Sequence, residues 1–137
     1  MAQLKHMVNG IYQIIKSGSS SVYSEYEKIP VIEHEDIYAV ASVAEICLEN
    51  VFVGKDDKFF RERYMLDVKI LGRPYTSPMN LYDMLDIQIL DKLVSSGYVI
   101  NSAKITAPVQ DNGLKRLILE CRIEILGKTE VVYESQP

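Results

Sequence analysis

The sequence predicts an α+β fold: a mostly antiparallel sheet with two main helices packed on one face and a long protruding β-hairpin. Three observations lead there. Leu4, Met7, Val8, Ile11, Ile14 and Ile15 recur at helical spacing near the N-terminus. Leu81, Leu85, Ile89 and Leu93 form a second apolar ridge of helical character. Two further segments alternate with a period of two, with Tyr64, Leu66, Val68 and Ile70 in one and Leu117, Leu119, Cys121, Ile123 and Ile125 in the other. Helices with one apolar stripe and strands with one apolar face bury both by packing together, which gives a two-layer sandwich.

Each element has its own warrant. Residues 3–16 form an amphipathic helix with Gln3, Lys5, His6, Asn9, Gln13 and Lys16 on the wet side, and Gly18 with the SGSSS run stops it. Val22, Tyr23 and Tyr26 favour a short strand over 22–26. Residues 27–36 read as an irregular crossing with Pro30 and an acidic cluster. The stretch 37–49 is ambiguous. Its alanines favour helix, while its Ile, Tyr and Val content favours strand; strand is the reading chosen, with helix as the alternative. It pairs with 62–72 through a hairpin turning at Gly54-Lys55-Asp56-Asp57. Ser77 followed by Pro78 marks a helix start over 78–95, a hydroxyl cap and then a proline at the first helical position. Gly97 supplies its stop. A strand around 98–107, a turn at Asp111-Asn112-Gly113 and a strand over 114–126 close the chain. Residues 1–127 form one α+β domain, and Gly127 opens a polar tail, 128–137.

The composition excludes several classes. The chain has 137 residues, 47% of them apolar and 25% charged, which suits one soluble core. No apolar run reaches the roughly 18 residues needed to cross a bilayer, and MAQLKHMVNG lacks the apolar core of a secretory signal. A formal net charge of −4, with no long lysine or arginine run, argues against nucleic-acid binding, sequence-specific binding included. Cys47 and Cys121 sit in apolar strand segments and read as buried reduced thiols. With two Cys and two His, a zinc site has almost no ligands to draw on.

The search for chemistry returns little. Glu33-His34-Glu35-Asp36 combines carboxylates with an imidazole, but side chains of consecutive residues diverge along an extended chain and do not converge on one ion. Asp83, Asp86 and Asp91 read as the wet side of the second helix rather than an acid–base pair, which needs a burial-shifted pKa. No serine lies in GxSxG, and no glycine loop of phosphate-binding type occurs. The expectation is a non-enzyme without metal or cofactor.

The segment KDDKFFRER, residues 55–63, stands apart. Lys55, Asp56, Asp57, Lys58, Arg61 and Arg63 mix both signs of charge around Phe59 and Phe60 at a hairpin tip. Alternating charge sets register and specificity against a charged partner or a second copy. If the segment is extended, the two phenylalanines point to opposite faces, and one is left for a partner. Val131, Val132 and Tyr133 in the tail can add a strand to a neighbouring sheet edge. The bland alternative is a mobile loop with one buried phenylalanine.

Read together, an N-terminal amphipathic helix before VYSEYEKIP, then DIYAVASVAEICLE, a charged hairpin, RYMLDVKILG, the helix NLYDMLDIQILDKLVSSGY and two closing strands ending RLILECRIEILGK resemble the tail terminator (tail completion) proteins of tailed phages and phage-derived tail-like particles. The resemblance covers about residues 3–127 and rests on element order, length and LYDMLD after an RYxLxVxILG-like strand. It implies a structural protein forming a homo-oligomeric ring, usually a hexamer, on the end of the tail tube. Such a ring stops tube polymerisation, faces the head connector or a sheath protein, and belongs to a particle assembled in the bacterial host cytoplasm. By that analogy Lys55, Asp56, Asp57, Lys58, Phe59, Phe60, Arg61 and Arg63 form the contact tip. A different head–tail adaptor or minor tail component, a small α+β ligand-binding module and an enzyme with a dispersed site are the rivals.

Overall fold

The computed structural model describes residues 3–24, 37–53, 57–113 and 115–132; at residues 3, 50–53, 57–60 and 128–132 the description covers the backbone alone. The fold is α+β. The elements are α1 (Gln3–Lys16), β1 (Val22–Ser24), β2 (Ile37–Val53), β3 (Asp57–Gly72), α2 (Pro78–Met84), a π-helical turn (Leu85–Leu90), α3 (Asp91–Ser95), β4 (Val99–Asp111) and β5 (Arg116–Val132). The strands form one sheet in the order β1-β2-β3-β5-β4. Among the described residues β1 pairs parallel with β2, and the other pairings are antiparallel. The stretch 37–49 is strand. Its alanines serve packing: Ala39 and Ala41 are fully buried in the same cluster as Ile11 and Ile15 of α1, where small side chains let a helix approach.

One cluster holds the core. Register aligns Ala39 with Ile70 and Leu119, Ala41 with Val68 and Cys121, and Tyr64 with Ile125, so these residues share one sheet face. They join Ile11 and Ile15 of α1 and Leu81, Leu85, Ile89 and Leu93 of the second helix in a single buried cluster. Burying a large aliphatic side chain is worth about 1.5–3 kcal/mol, so this cluster dominates the fold's stability.

The second helix starts as expected. Ser77 is extended, its hydroxyl accepts from the Met79 N–H at 3.3 Å, and Pro78 follows. It ends at Gly97, whose φ of 95° is a conformation suited to glycine; there the Tyr98 N–H reaches back to the Leu93 carbonyl at 3.1 Å. Its middle is a departure from a plain helix. The Asp91 N–H bonds to the Asp86 carbonyl, a π-type step. The buried residues explain it. With 3.6 residues per turn, each four-residue step from Leu81 to Leu85, Ile89 and Leu93 overshoots a full turn by about 40°. The wider π turn cancels that drift and keeps the ridge against the sheet. It also aims Gln88 at α1, where its Nε2 donates to the Ile15 carbonyl at 2.7 Å and the Ser17 carbonyl at 3.2 Å. Carbonyls at the end of α1 that lack helical partners are thereby satisfied.

A bulge in β2 between Val43 and Glu45 is tied to α1 as well: the Val43 N–H donates to the Tyr12 hydroxyl at 3.0 Å. β4 and β5 are longer than alternation suggests. β4 runs to Asp111 despite Pro108, with register shifts between Ile100 and Ser102 and between Thr106 and Val109. β5 passes through Gly127 and pairs with β3 as far as Val132. Gly127 is therefore no strand end. A Cβ there would meet Glu62 Oε2 and Tyr98 Cε1, each at 3.0 Å, so the residue is glycine for close packing.

Candidate functional site

The β2–β3 pair is described by its backbone, and the turn expected at 54–57 lies outside the described residues up to Asp56. β2 and β3 pair antiparallel from Ile37–Gly72 to Val53–Lys58. β5 joins the other edge of β3, with Arg61 opposite Lys128 and Asp57 opposite Val132. Three long strands thus continue past Tyr64 and Ile125, the last described residues of the core on β3 and β5. Lys55 and Asp56 lie outside the described residues, as does Tyr133. For Asp57, Lys58, Phe59 and Phe60, and for Val131 and Val132, the strand register alone is described. Val131 and Val132 use one edge to pair with Lys58 and Asp57 of their own chain. β4 begins at Val99 opposite Leu126, so among the described residues their other edge is unpaired. The Glu33–Asp36 cluster also lies outside the described residues.

Arg61 and Arg63 are both exposed. Arg63 is a cross-strand tie: it meets Glu49 of β2 at 3.3 Å and Glu124 of β5 at 3.1 Å. Further along the same two strands, Arg122 Nε donates to Asp67 Oδ1 at 2.8 Å and an Arg122 terminal nitrogen to Asp67 Oδ2 at 3.3 Å. That carboxylate holds the guanidinium above its usual range. These pairs lie on the sheet face opposite the core cluster, where strand alternation places the polar residues. Exposed pairs of this kind add little to stability, because water and salt screen them. Their role is to order a charged surface rather than to hold the fold.

On the core side, the root of the hairpin carries a group that the sequence disguises. Glu62 is 3% exposed. Its Oε2 accepts from the Tyr64 hydroxyl at 2.6 Å, and its Oε1 is buried with no hydrogen-bond partner among the described residues. Burial pushes the carboxyl above its ordinary range, the Tyr64 hydrogen bond opposing in part. Burial, then the Glu62 charge, pushes Tyr98 up as well. Tyr64 and Tyr98 meet edge to face with centroids 6.2 Å apart. Inside the segment KDDKFFRER, Glu62 reads as one more wet charge. The signal available was its parity, since Glu62 falls in step with Tyr64, Leu66 and Val68.

The remaining chemistry is sparse. Asp83, Asp86 and Asp91 are exposed on the second helix. Among the described residues no group of three or more His, Cys, Asp or Glu is placed to hold a metal. Cys47 is half-buried and Cys121 buried, both as free thiols; burial pushes Cys121 up to about 11. Concavities occur on the uncovered sheet face, where about 430 Å³ lies between β3, β5 and β4 around Lys69, Lys104 and Arg122. No described helix is long and apolar enough to cross a membrane. Comparison with protein-family models and with curated proteins finds no match.

Proposed function

We propose that this chain is a tail terminator subunit, which assembles into a ring, usually of six copies, on the end of a tail tube and ends tube growth. The observation that carries the reading is the three-stranded arm. From Tyr64 to Asp57, β3 extends about 24 Å at 3.4 Å per residue, paired on one side with β2 and on the other with β5. A ladder of that length bearing the mixed charges of residues 55–63 suits insertion between neighbours or onto a tube. The element order quoted above supports the same reading.

The mechanism is geometric. A heterologous contact between subunits closes into a ring when its rotation divides a full turn, and runs into a filament otherwise. A closed ring seated on the tube end offers no equivalent surface for the next tube layer, so polymerisation stops. The arm tip, with Phe59, Phe60, Arg61 and Arg63, makes the tube contact, and the edge of 128–132 that is unpaired among the described residues is available to a neighbour. The chain then acts without catalysis, within a virion or tail-like particle.

The test is particle length. In a system making tails, loss of this chain gives tubes of uncontrolled length, and adding it back restores uniform capped ends. Uniform tubes without it would refute the reading. Rings that form only on a head connector, never on tube, would favour a head–tail adaptor instead.

A further inference from the structure

Glu62 sits where the core ends and the arm begins. Alternation along β3 points it to the core face in step with Tyr64, and register sets it between Leu48 of β2 and Gly127 of β5. Tyr64 and Ile125 close the core cluster at this end, and no described residue farther along the arm joins it. The flanking strands stop here as well: β1 pairs with β2 only as far as Ala41, and β4 begins opposite Leu126. Among the described residues, the outer arm, 57–61 of β3 with 128–132 of β5, is therefore held by strand pairing rather than by the core.

The junction buries a carboxyl group with little to balance a charge. Glu62 is 3% exposed, although Leu48 opposite it is 43% exposed. Its Oε2 accepts from the Tyr64 hydroxyl at 2.6 Å, and its Oε1 has no partner among the described residues. Gly127 makes the space, since a Cβ there would lie 3.0 Å from Oε2. No described Lys, Arg or His pairs with Glu62; Arg63, the next residue, turns to the opposite face and is held by Glu49 and Glu124. Leu48 and Gly127, at the facing positions on β2 and β5, carry no charge. The titratable groups around it are Tyr64 and Tyr98, both pushed above their ordinary value of 10, chiefly by burial, so both stay neutral up to pH 9. An ionised Glu62 has one hydrogen bond and no counter-charge, which makes its burial costly.

We infer that Glu62 is a proton-operated latch for the arm: with its carboxyl neutral the outer arm stays closed over it, and with its carboxyl charged the arm opens and water reaches the charge. Opening the arm is the cheaper route to water. Proteins open in parts, and a segment held by strand pairs alone releases before one packed into the core. Burial holds the carboxyl above its ordinary 4.5, so the closed arm binds the proton more tightly than the open arm. The arm is then firmest at pH 4.5 and below, and loosens as pH rises through the closed-state value. A partner that closes over the junction and a proton on Glu62 favour one another. The latch goes beyond the terminator reading and does not rest on it.

Hydrogen exchange of backbone amides, corrected for the pH dependence of exchange itself, reads the opening. In the wild-type chain the amides of 57–61 and 128–132 should open more readily than those of 66–70, and should lose about fivefold in protection between pH 4.5 and 8. Glu62→Gln should remove that pH dependence. Tyr64→Phe takes away the hydrogen bond that favours the charged carboxyl, so the loss should move to higher pH; this variant decides the matter should glutamine at 62 impair folding. The carboxyl carbon of Glu62, followed by NMR, should titrate over the same range as the arm. Three results would overturn the latch: arm protection that does not change with pH, an equal pH dependence in Glu62→Gln, or arm amides that open only together with the core. Tube capping is read separately, so any of these leaves the terminator reading standing.

Discussion

Glu62→Gln should stabilise the protein, and the gain should grow with pH. Glu62 is buried, with one oxygen unpartnered among the described residues and the other bound to the Tyr64 hydroxyl at 2.6 Å. A buried polar atom without a partner costs about 1–3 kcal/mol, and more when it is charged. The folded-state pKa lies above the ordinary 4.5, so between those values the folded chain binds more protons than the unfolded one. Stability from this group is then full below about 4.5 and falls as pH rises through the folded pKa. Glutamine keeps the shape and an acceptor for Tyr64 and removes the ionisation. The amide that replaces Oε1 is unpartnered as well, so the gain at pH 8 is only the extra cost of burying a charge, on the order of 1 kcal/mol, or about 3–4 °C in melting temperature for a chain of this size. At pH 4.5 the two should melt within about 1 °C. Thermal melts followed by circular dichroism from pH 4.5 to 9 read the difference. A variant less stable than wild type at pH 8, or a difference constant with pH, would refute the argument.

Other substitutions test other parts. Gln88→Ala removes two hydrogen bonds to the end of α1 and should cost about 1–2 kcal/mol, read by urea denaturation; no loss would mean that the π turn serves the apolar ridge alone. Ile89→Ala, at the centre of that turn and fully buried, should cost about 2–5 kcal/mol. Cys121, buried and with its thiol pushed up to about 11, should react with a thiol reagent at pH 8 much more slowly than half-buried Cys47; equal rates in the native state would contradict the packing. Phe59→Ser with Phe60→Ser, or Arg61→Glu with Arg63→Glu, should leave the fold intact and abolish capping, and normal caps from these variants would remove the tip from the account.

The periodic parts of the fold were legible in the sequence. The 3–16 helix, the alternating strands and the Ser77-Pro78 start each follow from local chemistry. What escaped was set by contacts between distant residues. β1 pairs parallel with β2 through three residues, Val22 to Ser24, too few to leave a pattern. The π turn hid behind a ridge that looks helical, although its strict four-residue spacing was the clue. Gly127 reads as a stop, yet it is glycine because Glu62 and Tyr98 crowd its position. The hairpin's charged residues divide in the same way. Arg63 spans two carboxylates that no local window brings together, and Glu62, between two exposed arginines, turns inward. The proposed ring and tube contact would leave no local signature at all, since their partners are other chains.

The most direct measurement is the mass of the purified chain by light scattering, alone and with tail tube protein, followed by negative-stain imaging. The account predicts rings of about six subunits, or a ring at one end of every tube. A stable monomer that leaves tube ends bare and tube growth unchanged would contradict it.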